Sequence, residues 1–134
     1  MMRLAIVVAL GEKSPRSKRI INFAIQEAKL RGETIHFVHS IYGEGKTSEE
    51  EIIEGERLLD WAANFAEKAG VKYEKHLLVR GKNPADDVID FADEIEASMI
   101  MIGVRKRSPA GKVLFGSVAQ DIILHANKPV VCIK

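Results

Sequence analysis

The feature that most restricts how this chain can fold is an alternation. Five short apolar runs are separated by four longer segments whose apolar residues recur at helical spacing. The first run, residues 3–10 (RLAIVVAL), is rich in β-branched residues and reads as a strand buried on both faces. The run at 99–102 (MIMI) reads the same way, and runs at 34–40 (TIHFVHS), 72–79 and 129–133 (PVVCI) read as the remaining strands. The third is more polar at its start, which places it toward a sheet edge.

Helix signals fill the gaps. Ser14-Pro15 supplies an N-cap followed by proline at the first helical position, and residues 15–31 carry Ile20, Ile21, Ala24, Ala28 and Leu30 on one side before a Gly32 stop. Ser48 and Glu51 form a capping box for a helix to about residue 69, with Ile52, Leu59, Ala62, Ala63 and Ala66 apolar and Gly70 closing it. Asn83-Pro84 opens a third helix to about residue 97, its first-turn Asp86 and Asp87 favouring the helix dipole. Ser117 and Gln120 fit another capping box, opening a helix over 117–126. This order predicts a single α/β domain: a five-stranded, parallel, doubly wound, Rossmann-like sheet with four helices. Ligands of such sheets bind beyond the C-terminal strand ends, where strand order reverses. The loops after strands one and four flank that crevice if those strands are central.

The stretch from Met99 to Ala119 carries the strongest functional signal. An apolar run stops at Gly103, a cationic loop follows (Arg105, Lys106, Arg107, Lys112), and Gly116-Ser117 opens a helix. That arrangement offers free backbone N–H groups and a positive helix end to an anion. The same glycines also suit tight turns, and the loop also suits an ordinary solvated face.

Composition excludes several classes. The 134 residues allow one domain, 46% of them hydrophobic and 29% charged, and the net charge of +1 gives no bulk attraction to nucleic acid or membrane surfaces. No apolar run approaches the roughly 20 residues needed to span a bilayer. The N-terminal MMRLAIVVAL lacks a small-residue cleavage site, so no signal peptide is expected. The single Cys132 excludes an intramolecular disulfide and a cysteine-based zinc site, is compatible with a cytoplasmic location, and is expected to be an inert core residue. His36 and His39 lie three apart on a strand and point to opposite faces, which argues against a shared metal; His125 suits a helix C-terminus. Neither a P-loop nor a G-x-S-x-G elbow is present.

Gly103, two residues, Lys106, nine residues, then Gly116-Ser117 resembles the universal stress protein signature G-x2-G-x9-G-[S/T] in an archaeal-type form. The segments RGKNPADDVIDFA and AQDIILHANKPVVCIK are similar to other parts of that family. The resemblance implies a stress-response domain that binds an adenine nucleotide, ATP above all, with magnesium arriving on the phosphates. Carried over by position, the pocket comprises Ala9, Leu10, Gly11, Ser40, Ile102, Gly103, Lys106, Gly116, Ser117 and Val118, with Arg105, Lys106 or Arg107 closing over the phosphates. It also implies a homodimer through Val130, Val131, Cys132 and Ile133, and an unidentified protein partner. Two departures stand out: Lys106 occupies the second glycine position, and Leu10-Gly11-Glu12 stands where nucleotide-binding members carry Asp. The missing Asp keeps a second reading open, a dimeric interaction module that binds no nucleotide. An ATP-consuming enzyme of related fold would need a Ser-Gly-Gly loop after strand one, which this chain lacks.

Overall fold

The computed structural model describes residues 5–43, 47–106 and 113–134. Strands β1 (Ala5–Ala9), β2 (Thr34–Ser40), β3 (Tyr73–Leu78), β4 (Met99–Gly103) and β7 (Val130–Ile133) form one parallel sheet in the order β3-β2-β1-β4-β7. Helices α1 (Pro15–Arg31), α2 (Glu49–Ala69), α3 (Pro84–Glu94) and α4 (Ser117–His125) make the crossovers. From β1 the chain steps outward through β2 to β3, then returns past β1 to β4 and continues to β7. Right-handed crossovers in opposite directions must cover opposite faces. Accordingly α1 and α2 pack with Ile6, Val8, Ile35, Phe37 and Met101, whereas α3 and α4 pack with Val7, Val38, Ile100 and Ile102.

The caps follow from local chemistry. Ser14, Ser48 and Asn83 side chains accept from the N–H groups of Ser17, Glu51 and Asp86. Gly32 and Gly70 end α1 and α2 in the left-handed conformation that glycine adopts without strain.

Five expectations need correction. The N-cap of α4 is Gly116, not Ser117, and Gly116 has no side chain with which to cap. Helix α3 stops at Glu94, where Ile95 caps it, short of Ala97. Leu30, counted on the apolar side of α1, is 84% exposed because, two residues after the buried Ala28, it lies about 200° around the helix from the face that packs on the sheet. Cys132 is exposed rather than in the core. It shares a face of the edge strand with Val130, and the nine-residue α4, of which only Ile122 is buried, does not cover that end. Finally, the cationic segment is not all loop, because β5 (Arg105–Lys106) pairs antiparallel with β6 (Val113–Leu114).

Candidate functional site: the crevice between β1 and β4

The strand order reverses between β1 and β4, so their C-terminal ends diverge and leave room above the sheet. A cavity of about 400 Å³ opens there, within the size range of small-ligand sites. Its floor and one wall are Ala9, Leu10 and Gly11 after β1, with Ser40 at the end of β2. The opposite wall is Ile102 and Gly103 from β4, followed by Gly116, Ser117 and Val118 at the start of α4. Thus nine of the residues singled out from sequence line one cavity. Arg105 and Lys106 continue from β4 into β5, and Arg107 lies outside the described residues. Glu12, which stands near the family's Asp position, also lines the cavity, as do Arg16, Ser17 and His39, which were not singled out as site residues. His39 adjoins Ser40 at the end of β2, whereas Arg16 and Ser17 belong to the first turn of α1 and carry no signal of their own in the sequence.

The loop after β1 is held from three directions. Leu10 donates its N–H to the Val38 carbonyl at 2.9 Å. His39 Nδ1 lies 2.8 Å from the Leu10 carbonyl oxygen, a geometry that requires the proton on Nδ1. Ser17 Oγ donates to the Glu12 carbonyl at 2.6 Å.

Two glycines of the crevice differ in what they do. A Cβ on Gly103 would lie 2.8 Å from Arg16 Cδ and 3.0 Å from Ile20 Cδ1, so the close approach of α1 favours glycine there. Gly116 has φ −66° and ψ 161°, angles open to any residue, and a Cβ there meets nothing within 4 Å. Neither conformation nor packing requires glycine at 116. Ser117, Val118 and Ala119 line the cavity, and their N–H groups, in the first turn of α4, lack carbonyl partners within the helix. With a side-chain-free N-cap, this positive helix end is open to an anion.

Ser40 is committed beneath the site. Its hydroxyl donates to Asp87 Oδ2 at 2.7 Å, and Asp87, fully buried, also accepts from Arg80 Nε at 2.5 Å. Arg80 reaches both Glu94 oxygens, at 2.9 and 2.8 Å. Hydrogen bonding to Glu94, then to Asp87, raises the Arg80 pKa above its ordinary value against the opposing effect of burial, so its charge stays in place. Asp87 is therefore more than a dipole-favoured first-turn acid. It anchors the β2 end that forms one side of the crevice, and Ser40 retains only acceptor capacity for a ligand.

Strand order and crossovers together define a Rossmann-like doubly wound domain with a cavity at its switch point. The sequence model of the Universal stress protein family matches residues 2–134, and the chain belongs to that family. A universal stress protein from Mycolicibacterium smegmatis is 30% identical over 129 residues, covering 96% of this chain and 97% of that protein. The solved universal stress protein from Archaeoglobus fulgidus superposes with a TM-score of 0.93 at 55% identity, covering 99% of this chain and 100% of its own. An Archaeoglobus fulgidus universal stress protein solved in complex with dAMP superposes with a TM-score of 0.90 at 51% identity and full coverage of both chains.

Proposed function

We propose that this chain is a stress-response regulatory domain that binds an adenine nucleotide, ATP in particular, in the crevice between the β1 and β4 loops. The observation that carries the reading is the cavity itself, built at the switch point with the uncapped α4 N-terminus as one wall. The 51%-identical Archaeoglobus fulgidus structure in complex with dAMP supports the ligand class. Phosphates accept from the N–H groups of Ser117, Val118 and Ala119, while adenosine lies against Ala9, Leu10, Gly11 and Ser40. The cationic run Arg105, Lys106 and Arg107, between β4 and α4 in the sequence, is the feature that favours ATP over a monophosphate. A magnesium ion belongs with the phosphate oxygens and water rather than with a protein cage. Glu12, at the cavity edge, takes the place of the family's Asp.

A second copy of the chain pairs along β7 in this reading, because β7 is a sheet edge with half-buried Val130, Val131 and Ile133. The single cysteine accords with a cytoplasmic location.

Calorimetric titration of nucleotide-stripped protein with ATP and AMP, with and without magnesium, tests the proposal. Saturable micromolar binding of ATP is expected, and Gly116→Val should abolish it with little change in melting temperature, since a Cβ there meets nothing within 4 Å and the backbone angles suit any residue. Absence of heat with any adenine nucleotide would reject the binding reading and favour the interaction module.

A further inference from the structure

We propose that His36, Glu74 and His76 form a binding site for one Zn²⁺ ion at the β2–β3 edge of the sheet. Strand register creates the cluster. His36 lies opposite Glu74 and Val38 opposite His76, so the three side chains share the face covered by α3. His36 Nδ1 is 2.9 Å from His76 Nε2, and Glu74 Oε1 is 3.6 Å from His76 Nε2 and 4.0 Å from His36 Nδ1. The carboxylate thus stands beyond hydrogen-bond reach of either ring nitrogen while facing both. Three atoms with these separations lie on a circle of radius about 2.1 Å, which is the Zn–N and Zn–O bond length. A metal near its centre is therefore equidistant from all three, and a small movement of Glu74 lets it rise toward a fourth ligand.

The chemistry of the donors fits zinc. Two imidazoles and one carboxylate are a borderline set, and three protein ligands leave a fourth tetrahedral position for water. The surroundings also fit. The two histidine side chains are 11% and 22% exposed, Glu74 is 60% exposed, and the Phe91 ring lies 4.5 Å from the His76 ring by centroids. Solvent thus reaches the cluster from the Glu74 side, and an aromatic wall closes the other. On binding, the metal replaces the hydrogen bond between the rings, and the donating ring carries its proton on its other nitrogen after exchange with water, so that both rings ligate as neutral imidazoles. His36 precedes Ser40 by four residues, roughly 13 Å along β2, so this site is separate from the nucleotide crevice. Zinc here would fasten the edge strand β3 to β2.

The test is calorimetric titration of the full chain, chelator-treated and free of nucleotide, with Zn²⁺, paired with the visible spectrum of the Co²⁺ form. One equivalent binding at micromolar concentration or tighter, with the intense absorption of four-coordinate cobalt, is expected. His76→Gln and Glu74→Gln should each weaken zinc by at least about tenfold, and His125→Gln, on the exposed end of α4, should not change it. Glu74→Gln preserves shape at an exposed position, so it reports on ligation even if His76→Gln misfolds. Lack of stoichiometric binding at micromolar zinc, or binding that survives Glu74→Gln but is lost in His125→Gln, would overturn the assignment.

Discussion

Replacing Arg80 by alanine should destabilise the protein strongly. Asp87 is fully buried, and its charge is balanced by the Arg80 guanidinium, whose side chain is 30% exposed. Without Arg80, Asp87 keeps the hydrogen bond from Ser40 Oγ but no cation. Removing one partner of such a pair costs about 3–5 kcal/mol, because the other charge is left buried. Domains of this kind have total stabilities of about 5–15 kcal/mol, so the loss is a large fraction. For 134 residues it corresponds to a fall in Tm of roughly 10–20 °C. Urea denaturation followed by circular dichroism measures it directly. The double variant Arg80→Ala/Asp87→Asn should be more stable than the sum of the single effects by roughly 1–3 kcal/mol, since it also removes the stranded charge. A cost below about 1 kcal/mol for Arg80→Ala would equal that of a surface ion pair. The reasoning that Asp87 is shielded from water would then be wrong.

Packing and thiol chemistry give two further expectations. Gly55→Ala improves helix propensity by about 1 kcal/mol, yet its Cβ would lie 2.7 Å from Leu77 Cδ1 and 3.0 Å from His39 Cδ2. His39 is tied to the Leu10 carbonyl, so we expect a net loss of about 1 kcal/mol in urea; a gain would show that α2 shifts freely. Cys132 lies at the exposed β7 edge, but partial burial of its thiol raises its pKa. Alkylation should therefore be slower than that of free cysteine at neutral pH and should keep accelerating above the free thiol's range as thiolate forms. A plateau at lower pH would contradict this. Pairing of two copies along β7 should slow the reaction as protein concentration rises, and a Val131→Lys variant should abolish that dependence.

Most of the fold was legible because its signals are local. Ser14-Pro15, the Ser48–Glu51 box and Asn83-Pro84 start their helices where the sequence places them. The continuous apolar character of 5–9 and 99–103 located the central strands, and with them the cavity. What escaped depends on separations that sequence does not display. A one-residue difference decides whether Ser117 caps α4 or follows the cap, and both positions suit serine. Asp87 looks like a helix-dipole acid because that role needs only its own helix. Its partners Ser40 and Arg80 come from β2 and from the segment after β3. His36 was set apart from His39 on correct grounds of strand alternation, but its partner His76 becomes visible only through the β2–β3 register.

The most direct test of nucleotide placement is a ¹⁵N-detected NMR titration of the full chain with ATP and magnesium. Binding in the crevice predicts saturable shifts concentrated at the amides of Gly11, Gly103, Ser117, Val118 and Ala119, with those of α2 left in place. Shifts that saturate elsewhere, with the α4 N-terminus unmoved, would contradict it.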